Sequence, residues 1–398
     1  MKIALLENIH ESAIQTFETD GYRVERISGS LSEKELIERL ADAHLIGIRS
    51  KTQLLPSYFE NAKRLLAVGC FCIGTNQVDT NAARIAGVPV FNAPFSNTRS
   101  VAEMMISEIV MLARRLGDRN SEMHRGIWRK SAKLCAEIRG KTLGIIGYGK
   151  IGSQVSVLAE AFGMNVIFFD IVNKMSIGNS RPVASLKELL EKSDFVSIHV
   201  PETDLTKMMI GKNELQSMKK GACLLNASRG SVVDLVALKE SLENSDLSGA
   251  AIDVFPEEPK ENDSEFSHEL IGVQNVVLTP HIGGSTEEAQ LNIGIEVASA
   301  LVKFANEGAT TGSVNFPQLE IPLATGQHRI LNVHRNVPGV LAEINAIISD
   351  VGANIQRQVL ATDPEIGYLI VDVDKEVSEI VNERVGKLDT SIRTRILY

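Results

Sequence analysis

Apolar residues in the first hundred positions fall in short runs: Lys2 to Leu6, Leu45 to Ile48, Leu66 to Cys70 and Val88 to Phe91. Between them lie amphipathic stretches such as Ser32 to Ala41 and Val78 to Ala86. Strand-length runs alternating with helix-period segments predict β-α-β units, hence a parallel sheet with helices on its faces. At Ser100-Val-Ala-Glu103 the pattern changes. A serine followed three residues on by a glutamate predicts a capping box, with a long helix over Met104 to Leu116 behind it. A second β-α-β series starts at Lys141, with strands predicted at Thr142 to Ile146, Val166 to Phe169, Phe195 to His199, Ala222 to Leu225, Ala250 to Val254 and Val276 to Leu278. Six such strands complete a doubly wound sheet. A helix from Thr286 to about Asn306 can carry the chain back to the first domain, which would then be discontinuous.

Pro317, Pro322 and Gly326 interrupt the segment Val314 to Gln327, which has little periodicity and reads as a linker. Beyond it come a strand at Arg329 to His334, a helix at Val340 to Asp350, strands at Asn354 to Leu360 and Gly367 to Val373, a helix near Ser378 to Lys387 and a last strand to Leu397. That order is β-α-β-β-α-β, the split ferredoxin-like unit. The expected domains are therefore 1–98 with 286–315, the inserted 99–285, a linker at 316–327 and a small domain at 328–398.

Composition removes several classes of function. A chain of 398 residues, 44% hydrophobic, can bury real cores, and its net charge of −9 with scattered basic residues argues against nucleic-acid and membrane-surface binding. No apolar run nears the roughly 20 residues of a membrane span, and the opening Ile-Ala-Leu-Leu is stopped by Glu7, too short for a signal peptide. A cytoplasmic protein is expected. Cys70, Cys72, Cys135 and Cys223 lack metal-ligand spacing; no metal site is expected, and Cys70 and Cys72 read as buried thiols on one strand face.

The second series opens with Leu-Gly-Ile-Ile-Gly-Tyr-Gly-Lys-Ile-Gly, Leu143 to Gly152. Strand, glycines and helix in this order are the dinucleotide fingerprint in its required context. Gly147 permits the tight turn, Gly149 the approach of backbone to a pyrophosphate, and Gly152 the close packing of helix on strand. Lys150 and Ile151 open that helix, whose free N–H groups face the phosphates. Asp170, ending the next strand, would accept from an adenosine ribose and repel a 2′-phosphate, so NAD is expected rather than NADP.

Ligands in open parallel sheets lie beyond the carboxyl ends of the strands. Three predicted strands end in polar motifs: Asn226-Ala227-Ser228-Arg229-Gly230, Phe255-Pro-Glu-Glu258-Pro, and Thr279-Pro-His281-Ile-Gly283-Gly284. Taken singly, such an arginine is more often a surface ion pair and such a histidine a satisfied loop residue. Together beside a dinucleotide fingerprint they suit hydride chemistry on a 2-hydroxy acid. His281 titrates near neutrality and can take the hydroxyl proton, Glu258 can pair with the imidazolium, and Arg229 has the planar fork that holds a carboxylate.

On these motifs, with Asp253-Val-Phe-Pro-Glu-Glu-Pro, the chain resembles the D-isomer-specific 2-hydroxy acid dehydrogenases along essentially its whole length. The resemblance implies a cofactor domain inserted in a flavodoxin-like α/β substrate domain, with a C-terminal ACT regulatory domain. It makes Arg229 the substrate-binding arginine, Glu258 the histidine's partner and His281 the acid/base. Ala227, Ser228, Asp253, Gly283, Gly284, and His199 and Pro201 of Ile-His-Val-Pro would line the cofactor pocket. Within the family the likeness is to members that oxidise 3-phospho-D-glycerate to 3-phosphohydroxypyruvate, the first step of L-serine biosynthesis.

A phosphorylated substrate needs added positive charge, and Gly47-Ile-Arg49-Ser50-Lys51-Thr offers it. The family usually has arginine at both basic places, so Lys51 keeps the charge and loses the fork. Asn97 matches the family's substrate loop. Lys130 beside Trp128, the one tryptophan, matches a segment that reaches a neighbouring subunit, and a homo-oligomer, a tetramer, is implied. In the C-terminal domain His334, Asn336 and Asn354 match positions that bind serine between two such domains, so serine is the implied effector. Thr325-Gly326 stands where the family has a Gly-Gly hinge. Reductases of glyoxylate, hydroxypyruvate or 2-oxoglutarate are alternatives that would not need Arg49 and Lys51. A nicotinamide-sensing binding protein would not need the Arg229, Glu258 and His281 set, and a pure amino-acid sensor leaves the fingerprint unexplained.

Overall fold

The first apolar runs become the strands of a five-stranded parallel sheet: β1 (Ile3–Leu5), β2 (Val24–Arg26), β3 (Leu45–Ile48), β4 (Ala67–Cys70) and β5 (Val90–Asn92). In the computed structural model, which describes residues 1–259, 264–322 and 326–398, their order is β2-β1-β3-β4-β5. That is the flavodoxin-like order, with the switch point between β1 and β3. Helices α1 (Glu11–Thr19), α2 (Glu33–Leu40), α3 (Pro56–Asn61) and α4 (Thr80–Ile85) connect them. Ser32 and Glu35 form a reciprocal capping box at the start of α2, and Asp79 caps α4 by accepting from the Ala82 N–H. β1, β3 and β4 are buried on both faces, which is why they read as continuous apolar runs.

Two long-range helices follow, α5 (Thr98–Arg114) and α6 (Leu116–His124), with Arg115 left-handed (φ 52°) between them. The capping box expected at Ser100 does not form. The helix starts two residues earlier, Ser100 Oγ lies 2.8 Å from Thr286 Oγ1, and Glu103 is drawn to Arg99 (2.6 Å). A competing tertiary partner for the serine and a closer cation for the glutamate displace the local motif.

The second sheet comprises β6 (Thr142–Ile146), β7 (Asn165–Phe169), β8 (Arg181–Pro182), β9 (Phe195–Ile198), β10 (Cys223–Asn226), β11 (Gly249–Ile252) and β12 (Val276–Leu278). Their order, β12-β11-β10-β9-β6-β7-β8, is the doubly wound dinucleotide-binding order: the six expected strands plus one edge strand, β8, which is too short to read from the sequence. Helix α7 (Lys150–Ala161) packs with α5 on one face; α8 (Leu186–Lys192), α9 (Lys212–Ser217) and α10 (Leu235–Glu243) cover the other.

A 21-residue helix, α11 (Glu287–Glu307), returns the chain to the first sheet, where Ile293, Val297 and Leu301 join the core built on β1, β3 and β4. The last segment gives β13 (His328–Arg335), α12 (Val340–Asp350), β14 (Ile355–Thr362), β15 (Ile366–Val373), α13 (Ser378–Gly386) and β16 (Ser391–Leu397), an antiparallel sheet ordered β14-β15-β13-β16. Along β15 the buried side chains alternate. Leu369, Val371 and Val373 face α12 and α13, while Ile366, Tyr368 and Ile370 share a core with α11. Arg329, 2% exposed, makes a two-pronged ion pair with Asp372 and donates to the carbonyls of Glu307, Ile321 and Pro322. The segment that reads as a linker is therefore tied to the sheet at Ile321 and Pro322; residues 323–325, which include Thr325 of the Thr325-Gly326 pair, lie outside the described residues.

Two compact units result, Met1–Ser96 with Gln290–Tyr398, and Asn97–Ala289. Among the described residues no helix is long and apolar enough to cross a membrane. None of the four cysteines is in a disulfide; Cys70 is in β4, whereas Cys72 lies beyond the strand's end, where its thiol meets the carbonyls of Arg49 and Gly74, so the two do not share a strand face.

Candidate active site

Within the second unit the glycine loop runs from β6 into α7. Gly147 is left-handed (φ 89°), and a Cβ there would lie 2.8 Å from the His199 carbonyl; at Gly152 one would fall onto the Gly147 carbonyl. Those two positions need glycine for the turn and for helix-on-strand contact. Gly149 differs: a Cβ there would meet nothing within 4 Å. It faces open space at the start of α7, whose N-terminus has no side-chain cap. A missing side chain beside uncapped helical N–H groups is a fitting cradle for a pyrophosphate. Lys150 is the first residue of α7 and Ile151 the second, half-buried against the helix-sheet core.

Asp170, just after β7, accepts from the Tyr148 N–H (2.9 Å) and the Val172 N–H (2.9 Å). Its carboxylate is thereby fixed against the glycine loop. His199 follows β9 with Nε2 2.8 Å from Ser197 Oγ. Burial pushes its pKa down to about 4, so the ring is neutral near pH 7. Pro201 is exposed, its carbonyl accepting from Thr206.

Three strand ends build the reactive group. After β10, Asn226 Oδ1 accepts from the Ser228 N–H and hydroxyl (3.0 and 2.7 Å), and Asn226 Nδ2 donates to the Arg229 carbonyl (3.0 Å). This Asx-type turn sets the backbone of Ala227, Ser228 and Arg229. Gly230 lets that turn touch the next one, because a Cβ there would fall onto the Phe255 backbone. After β11, Glu258 Oε1 accepts from the Phe255 N–H (3.0 Å), which turns the other oxygen toward the third loop. After β12, His281 is left-handed (φ 55°), and its Nδ1 lies 2.8 Å from Glu258 Oε2.

The loop carrying His281 is held by Asp253. Its Oδ1 accepts from Thr279 Oγ1 (2.6 Å) and the Ile282 N–H (2.8 Å), its Oδ2 from the Gly283 N–H (2.9 Å), and its carbonyl from the His281 N–H (2.8 Å). Asn97 packs against Gly284 and keeps Oδ1 buried without a protein partner. The Glu258 hydrogen bond raises the pKa of His281 above its ordinary value, outweighing burial, with Asp253 adding and Arg229 opposing. Burial alone would raise the Glu258 carboxyl, yet the bonds from His281 and the Phe255 N–H, with Arg229 nearby, hold it below the usual range. Arg229 thus acts on both members of the pair, while its NH1 donates to the Ser228 carbonyl (2.6 Å).

In the first unit, half-buried Arg49 and exposed Ser50 and Lys51 follow β3. In the antiparallel sheet His334 is 3% exposed, with Nδ1 2.9 Å from Asn332 Oδ1, and burial lowers its pKa. Asn336 donates to the Asp363 carbonyl (2.6 Å). The register pairs His334 with Gly367, which pairs in turn with Thr362, whereas Asn354 precedes Ile355 at the other end, where Val373 stands between Ile355 and His328. Eight-residue strands place those ends roughly 23 Å apart. Lys130 and Trp128 are exposed on the coil after α6.

Two acids that sequence reasoning passed over matter here. Glu108 lies on the buried stripe Val101, Met105, Glu108, Leu112 of α5, a period-3.6 pattern visible in the sequence, with both carboxyl oxygens unpartnered. Glu7 ends the first apolar run and is 8% exposed.

Comparison with known proteins identifies the two kinds of domain. The family profile "D-isomer specific 2-hydroxyacid dehydrogenase, NAD binding domain" matches residues 106–283, and that of an "AHAS small subunit-like ACT domain" matches 330–393. The chain is 54% identical to D-3-phosphoglycerate dehydrogenase of Dictyostelium discoideum over all of this chain and 97% of that one, and 50% identical to that of Haemophilus influenzae over 100% and 97%. Among solved structures it is similar to a D-lactate dehydrogenase from Aquifex aeolicus complexed with NAD and lactic acid, at 26% identity and TM-score 0.69, over 79% of this chain and all of that one.

Proposed function

This chain belongs to the D-isomer-specific 2-hydroxyacid dehydrogenase family, and from that membership we propose that it is an NAD-dependent enzyme oxidising 3-phospho-D-glycerate to 3-phosphohydroxypyruvate. The observation that carries the reading is the coupled set Arg229, Glu258 and His281 at the carboxyl ends of β10 to β12, in the sheet that opens with an uncapped glycine cradle. NAD, when bound, supplies the hydride acceptor. Gly147, Gly149 and Gly152, with the first turn of α7, would hold its pyrophosphate, and the Asp170 carboxylate would accept from its adenosine ribose. Arg229 holds the substrate carboxylate and keeps C2 in place. As the C2 hydrogen leaves as hydride, the hydroxyl proton passes to His281; Glu258 holds Nδ1 so that the other ring nitrogen faces the substrate, and stabilises the imidazolium. In the reverse direction protonated His281 returns the proton. Asp253 keeps the histidine loop in register and Asn97 braces it at Gly284. Arg49 and Lys51 supply the phosphate's counter-charge, and Ser50 between them offers a hydroxyl donor.

The same reading extends to regulation and assembly. His334 and Asn336 lie at the opposite end of the antiparallel sheet from Asn354, so a serine touching all three needs a second copy of the domain. Self-association is also supported by Trp128, 79% exposed, among exposed Met123, Ile127 and Leu134. A tetramer with serine at the ACT contacts, working in the cytoplasm where cysteines outside disulfides stay reduced, fits these features.

The test follows NADH absorbance with 3-phosphoglycerate in one direction and phosphohydroxypyruvate in the other, with and without serine, beside a His281→Ala variant. Turnover of both compounds, lost by at least a hundredfold in the variant, is expected. Turnover of glyoxylate, hydroxypyruvate or 2-oxoglutarate alone would move the assignment within the family. Turnover insensitive to serine would remove the effector.

A further inference from the structure

The backbone of the Arg49–Thr52 loop is gripped by side chains from two other places in the same unit. Glu7, just past β1, accepts from the Lys51 N–H at Oε2 (3.0 Å) and from the Thr52 N–H at Oε1 (2.8 Å), across 44 and 45 residues of sequence. Gln77 Nε2 donates to the Arg49 carbonyl (2.6 Å) and bonds the Gly74 carbonyl and Cys72 thiol around it. Gln77 is itself tied in, because its carbonyl accepts from the Leu54 N–H (2.8 Å). Both side chains are buried, at 8% and 6% exposure.

Two further observations bear on why an acid stands there. Glu7 and Asn8 are successive left-handed residues (φ 61° and 52°) with no glycine between them. Asparagine tolerates that region, but a glutamate seldom does, and such backbone persists where the surroundings over-determine it. The charge also has the unhelpful sign: a carboxylate beside Arg49 and Lys51 weakens the attraction of those cations for an anion. A residue kept against both backbone preference and electrostatics acts through geometry.

We propose that Glu7 and Gln77 are positioning residues for the substrate's phosphate. They fix the Arg49–Thr52 backbone so that the two cations are presented in one arrangement, and they set the preference for a phosphorylated over an unphosphorylated 2-oxo or 2-hydroxy acid. The inference rests on the assignment of Arg49 and Lys51 to the phosphate made above. Lys51 strengthens the need, because an ammonium lacks the guanidinium fork that would orient itself on a phosphate and relies more on where its backbone is held.

Glu7→Gln keeps the side chain's size and one acceptor but turns a donor toward an N–H. Steady-state kinetics of full-length protein in the NADH-oxidising direction separate the possibilities. The expected result is a KM for phosphohydroxypyruvate raised about ten- to a hundredfold, with the KM for NADH and the kcat/KM for unphosphorylated hydroxypyruvate within about twofold. Gln77→Met, which removes the donor at similar volume, should move the same parameter in the same direction and serves where Glu7→Gln fails to fold. A lowered or unchanged KM for phosphohydroxypyruvate in both variants would overturn the inference, since charge removal alone lowers it. An equal loss with both substrates would overturn it too, leaving only a general structural role. Arg49→Ala distinguishes the premise from the inference. If it leaves the preference for the phosphorylated compound intact, the phosphate assignment falls and the inference with it. If it abolishes that preference while Glu7→Gln and Gln77→Met preserve it, the inference alone falls.

Discussion

Oε2 of Glu258 and Nδ1 of His281 stand 2.8 Å apart, and each shifts the other's protonation: the carboxyl is held down and the imidazole is held up. Oxidation needs the neutral ring as base, so kcat/KM for 3-phosphoglycerate should rise with pH through a midpoint above the ordinary histidine value of about 6.5. Reduction needs the imidazolium and should fall with pH through the same region. Glu258→Gln removes the largest upward contribution to His281. Both limbs should then move to lower pH, with kcat reduced about tenfold or more. Profiles recorded in both directions check this. Coincident midpoints in wild type and variant would show that the pair does not govern the titrating group.

Asp170 tests the cofactor end separately. Its two backbone hydrogen bonds fix the carboxylate against the glycine loop, so Asp170→Ala should both loosen that loop and remove the repulsion of a 2′-phosphate. The ratio of kcat/KM for NAD to that for NADP should fall by about tenfold or more, mostly through a raised KM for NAD, since losing a charged acceptor costs about 1.5–3 kcal/mol. An unchanged ratio would place the determinant elsewhere.

Gly230→Ala probes how the reactive loops are joined. Its Cβ would fall onto the Phe255 backbone, which cannot swing aside as a flexible side chain could. The turn carrying Arg229 and the one carrying Glu258 would have to separate, at a cost of about 1–3 kcal/mol in urea unfolding. Activity should drop further than stability implies, because the coupling between Arg229, Glu258 and His281 depends on that contact. A variant with full activity and unchanged unfolding would contradict the packing described.

Most of this architecture was legible because the inner strands β1, β3, β4, β9, β10 and β11 are buried on both faces and stand out as apolar runs, whereas the exposed edge strands β2 and β8 carry no such signal. Arg229, Glu258 and His281 could be found because each follows the carboxyl end of such a run, where the fold puts ligands. What stayed hidden depends on partners distant in the chain. Ser32-x-x-Glu35 and Ser100-x-x-Glu103 carry the same local signal, yet only the first forms a box, since Thr286 and Arg99 take over the second pair. Glu7 looked like the polar stop of a strand because its partners Lys51 and Thr52 lie beyond four further elements. The linker's proline and glycine content signalled irregular backbone but not that Arg329 clasps it, since a buried arginine declares itself only through Asp372, 43 residues on.

Glu108 offers a stability test with a definite sign. It is 3% exposed, neither oxygen has a protein partner, and burial, with Asp253 adding, pushes its pKa up to about 8 from 4.5. A carboxyl whose folded pKa lies above its unfolded value binds its proton more tightly in the folded state. Below about pH 4.5 it is protonated in both states and titration costs nothing. As pH rises the unfolded state gains the freedom to ionise, and the folded protein loses stability until about pH 8, beyond which the penalty levels off on the order of 5 kcal/mol. Glu108→Met removes the titrating group at similar volume. Its unfolding free energy should therefore exceed wild type by an amount that grows between about pH 5 and 8 and is flat beyond, as read from urea unfolding at a series of pH values. A difference independent of pH would mean that the Glu108 carboxyl ionises as freely inside α5 as in the unfolded chain.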